Sequence, residues 1–64
     1  MKRYLISFAA ARPRLGGCDY DNGADIVPAR TPDEALAQGH LVAVRRLGPG
    51  WMNITVKVEG ELLP

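Results

Sequence analysis

The most constraining feature of the 64-residue chain is a segment near its middle that carries both end signals of a helix. Thr31 is a typical N-cap, Pro32 fits the first helical position, and Glu34 three residues after the cap completes a capping box. At the far end, two arginines precede Gly48-Pro49, which is typical of a left-handed cap followed by a proline that stops the helix. These signals predict a helix over Pro32–Leu47.

The predicted helix is amphipathic, and its apolar face should pack against a sheet. That face holds Ala35, Leu36, Gly39, Val42, Ala43 and Leu47. A glycine inside a helix costs about 1 kcal/mol relative to alanine, so Gly39 indicates a close approach to the sheet. An alternative interpretation ends the helix at Gln38, caps it with Gly39 and makes Leu41–Leu47 a strand.

Alternating apolar residues predict three strands around this helix. The first is Tyr4–Ala10, which places Tyr4, Ile6 and Phe8 on the face that the helix should cover. The second is Ala24–Arg30, where Pro28 indicates an edge position. The third is Trp51–Val58, followed by a tail that is expected to fray. Its core-facing set is Met52, Ile54, Val56 and Val58.

The stretch Arg12–Gly23 is predicted to be one long hairpin loop. Pro13 cannot donate a ladder hydrogen bond, and Gly16-Gly17 permits turn geometry. The alternative is a tight turn at Asn22-Gly23, a strong turn dipeptide, with Cys18–Asp21 extended. A loop of roughly a dozen residues is unusual in so small a domain and is often functional.

Composition indicates one folded domain spanning residues 1–64, with 47% hydrophobic and 23% charged residues. The net charge of +1 lacks the basic excess typical of proteins that bind phosphate backbones. Met1–Ala11 resembles a signal peptide, but we interpret it as mature sequence that contains the first strand. No apolar run approaches the roughly 18 residues that a membrane span needs. We expect a cytoplasmic protein.

Nothing in the sequence predicts a metal site, a cofactor or catalysis. Asp19–Asp25 resembles a calcium loop, but Ala24 stands where the loop needs glycine, and Arg30 stands where it needs glutamate. Cys18 and His40 are the sole candidates for nucleophilic chemistry, and no motif brings them together. His40 is predicted to be a partly buried, structural histidine.

The clustered acids from Asp19 to Glu34 make this part of the chain a candidate surface for a basic partner, because carboxylates accelerate association with positive surfaces. A solvated acidic loop is the simpler interpretation. The predicted partner-binding residues are Asp19, Tyr20, Asp21, Asp25, Asp33, Glu34 and Trp51. Trp51 either faces outward as a binding residue or packs over the end of the helix.

Basic residues supply an alternative surface for nucleic acid. The candidate contacts are Arg12, Arg14, Arg45 and Arg46, with Lys2 and Arg3 beside the first strand. The simpler role of Arg45 and Arg46 is to complement the negative end of the helix dipole.

The order strand, loop, strand, helix, strand, with the helix start Thr31-Pro32-Asp33-Glu34-Ala35, resembles small accessory proteins of phages and mobile elements, anti-CRISPR proteins among them. The resemblance covers the general plan of the chain. It implies a stoichiometric inhibitor that binds a defence complex of the bacterial host, and it assigns no residue a role.

Together these patterns predict an α+β fold of order ββαβ, with a three-stranded antiparallel sheet and one helix across one face. The expected function is non-enzymatic binding to another protein, such as a basic, nucleic-acid-binding surface of a host complex. The alternative is a small nucleic-acid-binding domain. Unpaired sheet edges also make a homodimer an expected assembly.

Overall fold

A computed structural model describes residues 1–63 and shows three strands and one helix in that range. The elements are β1 (Lys2–Arg14), β2 (Gly17–Ala29), α1 (Pro32–Leu47) and β3 (Met52–Leu62). All neighbouring strands are antiparallel, in the order β2-β1-β3. The α+β class and the ββαβ order are therefore confirmed.

Strand β1 lies at the centre of the sheet and supplies most of the core. Tyr4, Ile6 and Phe8 are buried, as their spacing of two predicts, and Ile6 is fully inaccessible to solvent. Val27 and Ala29 of β2 pack in the same cluster with the buried face of the helix. The core is thus built on one face of the sheet.

The predicted long loop Arg12–Gly23 is wrong, and so is the alternative turn at Asn22-Gly23. β1 and β2 pair without a break as far as Arg14 opposite Gly17, leaving a two-residue turn at Leu15-Gly16. Gly16 takes φ +85°, a left-handed conformation that favours glycine. The turn signal therefore lay in the Gly pair, and cross-strand pairing holds Asn22-Gly23 extended.

Helix α1 has the predicted bounds, so the alternative end at Gln38 is wrong. The Thr31 hydroxyl accepts a hydrogen bond from the Glu34 amide at 3.2 Å. At the other end, Gly48 adopts φ +80° and donates its amide to the Val44 carbonyl at 3.1 Å. Both ends of the helix are thus fixed by local contacts.

The buried face of the helix is narrower than predicted. Ala35, Gly39 and Ala43 are buried, whereas Leu36 is 44% exposed. Small residues let the helix lie close to the sheet: a Cβ at Gly39 would come within 2.9 Å of Val56 Cγ1. His40 is exposed, so its prediction as a partly buried histidine is wrong.

Strand β3 departs from the predicted strand at both ends. Ile54, Val56 and Val58 pack against the core as predicted, but Met52 is 54% exposed. The β1–β3 register shifts between Ala9 and Ala11, opposite Asn53, whose φ is +53°. This bulge breaks the alternation, so Met52 loses its inward direction. The tail that was expected to fray continues the strand to Leu62.

Candidate binding surface on the distal hairpin

The β1–β2 hairpin extends beyond the other elements. The pairing of β3 with β1 starts at Met52 opposite Ala11, so Arg12–Asp19 has a partner strand only within the hairpin itself. We call Arg12–Tyr20 the distal hairpin. The molecule measures 46 × 15 × 15 Å as a result.

Cross-strand ion pairs connect the two strands of the distal hairpin. Asp19 lies opposite Arg12 and accepts from Arg12 Nη2 at 3.1 Å and from Arg14 Nε at 2.9 Å. These side chains are between 36% and 60% exposed, so each pair contributes less than about 1 kcal/mol. They add cross-strand side-chain contacts to the backbone pairing of the two strands.

Trp51 supports the base of the distal hairpin. The guanidinium of Arg12 lies 4.8 Å from the centroid of the Trp51 ring, a favourable cation–π distance. Trp51 is half-buried, so it is neither a free outward residue nor part of the buried core. It joins the loop after the helix to the hairpin.

Two large side chains of the distal hairpin are bare. Leu15 at the tip is 100% exposed and Tyr20 is 80% exposed. Tyr20 was predicted as a binding residue, whereas Leu15 was missed. The sequence signal for Leu15 was its position between Arg14 and Gly16-Gly17. That position marks the tip of a hairpin only when the turn is already known to lie there. Leu15 makes the tip apolar, and Tyr20, opposite Ala11, exposes its ring at the base of the distal hairpin.

Three predicted acids form a row along one side of β2. Asp19, Asp21 and Asp25 are paired with β1 residues of the helix-facing set, so they lie on that side of the sheet. Asp25 forms an ion pair with Arg46, in which Oδ2 and Nη1 are 3.5 Å apart. Asp21 has no ion pair within the described part of the chain. Asp21 and Asp25 also accept the amides of the residues that follow them, at 2.8 and 2.7 Å.

The helix-start acids lie far from this row. Asp33 and Glu34 are in the first turn of α1, which follows the β2 end paired with Lys2. The helix runs from there towards the distal hairpin, about 24 Å at 1.5 Å per residue. The structure therefore separates the predicted binding acids into two groups at opposite ends of the helix.

The predicted nucleic-acid contacts do not form a separate basic patch. Arg12 and Arg14 pair with Asp19, and Arg46 pairs with Asp25 and also donates to the Ala24 carbonyl at 3.3 Å. The Arg46 guanidinium lies 5.9 Å from the centroid of the Phe8 ring. These arginines therefore neutralise Asp19 and Asp25 in the isolated chain, but not Asp21.

Cys18 and His40 lie on opposite sides of the sheet. Cys18 alternates with Asp19 on β2 and so points to the uncovered face, whereas His40 is on the helix that covers the other face. Both are exposed. Their positions do not form a nucleophile–base pair.

A shallow depression crosses the uncovered face of the sheet. Residues of all three strands line it, and Lys57 is the one with a titratable side chain among them. Its lining comprises Ser7, Phe8, Ala9, Asn22, Gly23, Ala24, Thr55, Val56 and Lys57. Among residues 1–63, no group of three histidine, cysteine or acidic side chains could hold a metal ion.

No helix in residues 1–63 is long and apolar enough to cross a membrane. No family model matches the chain, and neither a curated protein nor a solved structure matches it significantly. The surface described above is therefore interpreted from its own chemistry.

Proposed function

We propose that the chain is a non-enzymatic protein-binding module whose distal hairpin docks onto another protein. The observation that carries this proposal is Leu15, fully exposed at the tip of a hairpin that contributes no buried residue to the core. Tyrosine is enriched at binding hot spots, so the exposed Tyr20 is suited to a partner contact, and the exposed Leu15 offers an apolar contact at the tip. The core does not need these two side chains.

The more specific version is a cytoplasmic, phage-encoded inhibitor that blocks a host defence complex, such as a CRISPR-Cas complex, or another complex that handles nucleic acid. Steric blocking by a narrow projection agrees with the 46 Å length of the molecule. Electrostatic blocking would use the row of Asp19, Asp21 and Asp25 against a basic surface. Since two of these carboxylates already pair with arginines, the steric form has the stronger support.

A differential capture experiment tests the docking proposal. The tagged chain is incubated with bacterial lysate beside Leu15→Ser/Tyr20→Ser and a matched control, Leu36→Ser/Leu41→Ser, which removes two exposed leucines of the helix. We expect a stoichiometric partner on the wild type and on the control, and at least tenfold less on the hairpin variant. Equal capture by all three proteins would contradict the proposal, provided that circular dichroism shows each to be folded.

Charge is tested separately. Asp19→Asn/Asp21→Asn/Asp25→Asn is compared with Asp33→Asn/Glu34→Gln, which removes charge at the other end of the helix. If electrostatic blocking operates, the triple variant binds the captured partner more weakly and the wild-type affinity falls with salt. Unchanged affinity of the triple variant would leave steric blocking alone.

Nucleic acid binding is the weaker alternative, because Arg12, Arg14 and Arg46 would have to leave their ion pairs. Gel-shift titrations with duplex and single-stranded DNA at low and moderate salt distinguish it. Salt-sensitive binding at micromolar protein would favour the alternative.

A further inference from the structure

The backbone pattern of the hairpin determines which groups of β2 face away from the sheet. In a two-residue hairpin the closing pair, here Arg14 and Gly17, exchanges two backbone hydrogen bonds. The next pair, Pro13 and Cys18, exchanges none, and the two kinds of pair then alternate along the strands. The even-numbered residues of β2 therefore direct their N–H and C=O outward. Pro13 and Pro28 both belong to pairs that exchange no hydrogen bond, so their missing N–H removes no β1–β2 hydrogen bond.

The chain itself engages part of this outer edge between Asn22 and Pro28. The outward amides of Asn22 and Ile26 donate to the carboxylates of the preceding aspartates. The outward carbonyl of Ala24 accepts from Arg46, and Pro28 has no N–H. Each outward-facing position from Asn22 to Pro28 thus has one of its two backbone groups engaged or missing, which is how proteins protect edge strands.

The edge of the distal hairpin is open. Among the hydrogen bonds of the part of the chain described, none engages the outward N–H or C=O of Cys18 or Tyr20. The opposite edge of the hairpin offers no equivalent, because Pro13 is the outward-facing strand residue beyond Ala11. Two open donor–acceptor positions therefore lie together on the projection that carries Tyr20.

We propose that an extended segment of a partner protein adds to β2 as a further strand along Cys18–Tyr20. This inference rests on the proposed function, and it specifies the kind of partner. Backbone hydrogen bonds to Cys18 and Tyr20 supply affinity, and alternate side chains of the added strand supply specificity. On the helix side the strand carries lysine or arginine next to Asp21, and on the other side it carries an apolar residue against Tyr20.

A second copy of the chain is a poorer occupant for electrostatic reasons. Antiparallel pairing of Cys18 with Tyr20 of another copy places the two Asp19 side chains directly opposite each other. Pairing Tyr20 with Tyr20 places each Asp19 opposite an Asp21. Like charges in directly opposed positions destabilise a sheet. Pairing Cys18 with Cys18 avoids this repulsion but leaves Tyr20 opposite Gly16 of the turn, outside the strand. A basic strand from a partner can pair with both positions without repulsion.

The probe is a seven-residue capped peptide in which lysine and valine alternate, added to the full chain labelled with ¹⁵N. We expect amide exchange to slow at least tenfold at Cys18 and Tyr20, with Ile26 unchanged. Two control peptides should give no protection. One alternates glutamate and valine, and the other is the lysine peptide with N-methyl groups on the amides that face the edge.

Two variants separate backbone pairing from side-chain contact. Tyr20→Pro removes an outward N–H at a position of the class that Pro13 and Pro28 already occupy, and Tyr20→Ala removes the ring but keeps the N–H. We expect Tyr20→Pro to weaken peptide binding at least tenfold and Tyr20→Ala to weaken it less. Equal effects of the two variants would overturn strand addition. If Tyr20→Pro does not fold, protection by the N-methylated peptide would overturn it equally.

The remaining outcomes distinguish this inference from the proposed function. If capture depends on Leu15 and Tyr20 but the lysine peptide protects neither Cys18 nor Tyr20, strand addition is wrong and the docking proposal stands. If the peptide protects the edge but no captured protein depends on the hairpin, the edge is competent and the proposed function is wrong. A dimer in light scattering that Tyr20→Pro dissociates would overturn the choice of a basic partner strand.

Discussion

At the residue scale, Gly23 shows how a turn signal can serve a strand. It lies opposite Phe8 in the β1–β2 ladder, and a Cβ added there would come within 2.7 Å of Phe8 Cζ. Phe8 is buried, and the end of its ring occupies the space that a side chain at Gly23 would take. The glycine is needed for space under the ring and not for a positive φ.

Gly23→Ala should therefore destabilise the fold by about 1–3 kcal/mol, the usual cost of forcing an extra group into a packed core. Gly17→Ala is the matched control, since the same strand leaves nothing within 4 Å of a Cβ there. We expect its effect to stay within about 0.5 kcal/mol. Urea unfolding followed by circular dichroism measures the free energy of unfolding of both variants. Equal effects would disprove the explanation that Gly23 is needed to make room for the Phe8 ring.

The same residue explains why part of the sequence prediction failed. Asn22-Gly23 is a turn dipeptide by local preference, and local preference contains no information about a ring supplied from fifteen positions earlier in the chain. Gly16-Gly17 permits turn geometry, but Pro13 indicates that the first strand ends before it. Pro13 is accommodated because its pair exchanges no hydrogen bond.

At the element scale, the helix was predictable because its signals are local. Thr31, Pro32 and Gly48 specify the ends through contacts within one turn. Which residues the helix buries was less predictable, because that depends on how closely it approaches the sheet. Gly39 was the usable clue: its position against Ile6 and Val56 confirms the close approach.

Gly39→Ala tests that approach. Alanine gains about 1 kcal/mol in helix propensity, but its Cβ would lie 2.9 Å from Val56 Cγ1 and 3.3 Å from Ile6. We expect net destabilisation of about 1–2 kcal/mol, because overpacking outweighs propensity. Urea unfolding of the variant measures it.

The control for this substitution is the pair Gly39→Ala/Val56→Ala, which removes the opposing methyl groups. The double variant should be more stable than the sum of the two single effects by at least about 1 kcal/mol, as expected for residues in contact. Additive effects, within about 0.5 kcal/mol, would show that Val56 does not limit the approach of the helix.

At the scale of the whole molecule, the structure divides into a packed body and a projection. The radius of gyration is 12.9 Å, against about 11 Å expected for a compact chain of this length. The fold class followed from the alternating patterns and the helix signals. The projection did not, because it depends on a cross-strand register that continues for thirteen residue pairs, and no local pattern specifies that length.

This division predicts that the hairpin can be shortened without loss of the fold. Deleting Pro13, Arg14, Gly17 and Cys18 keeps the Leu15-Gly16 turn and makes Arg12–Asp19 the closing pair, which exchanges both hydrogen bonds as before. No buried core residue is removed, and one exposed ion pair is lost. We expect the free energy of unfolding to change by no more than about 1 kcal/mol.

Small-angle X-ray scattering should show a maximum dimension shorter by about 7 Å, two residues at about 3.3 Å each. Leu15 would be withdrawn by the same distance, so the captured partner should be lost while the protein stays folded. Retained capture would show that the partner does not require the length of the projection. Loss of more than about 2 kcal/mol of stability would mean that the distal hairpin holds the body together, because surface changes outside the core seldom cost so much.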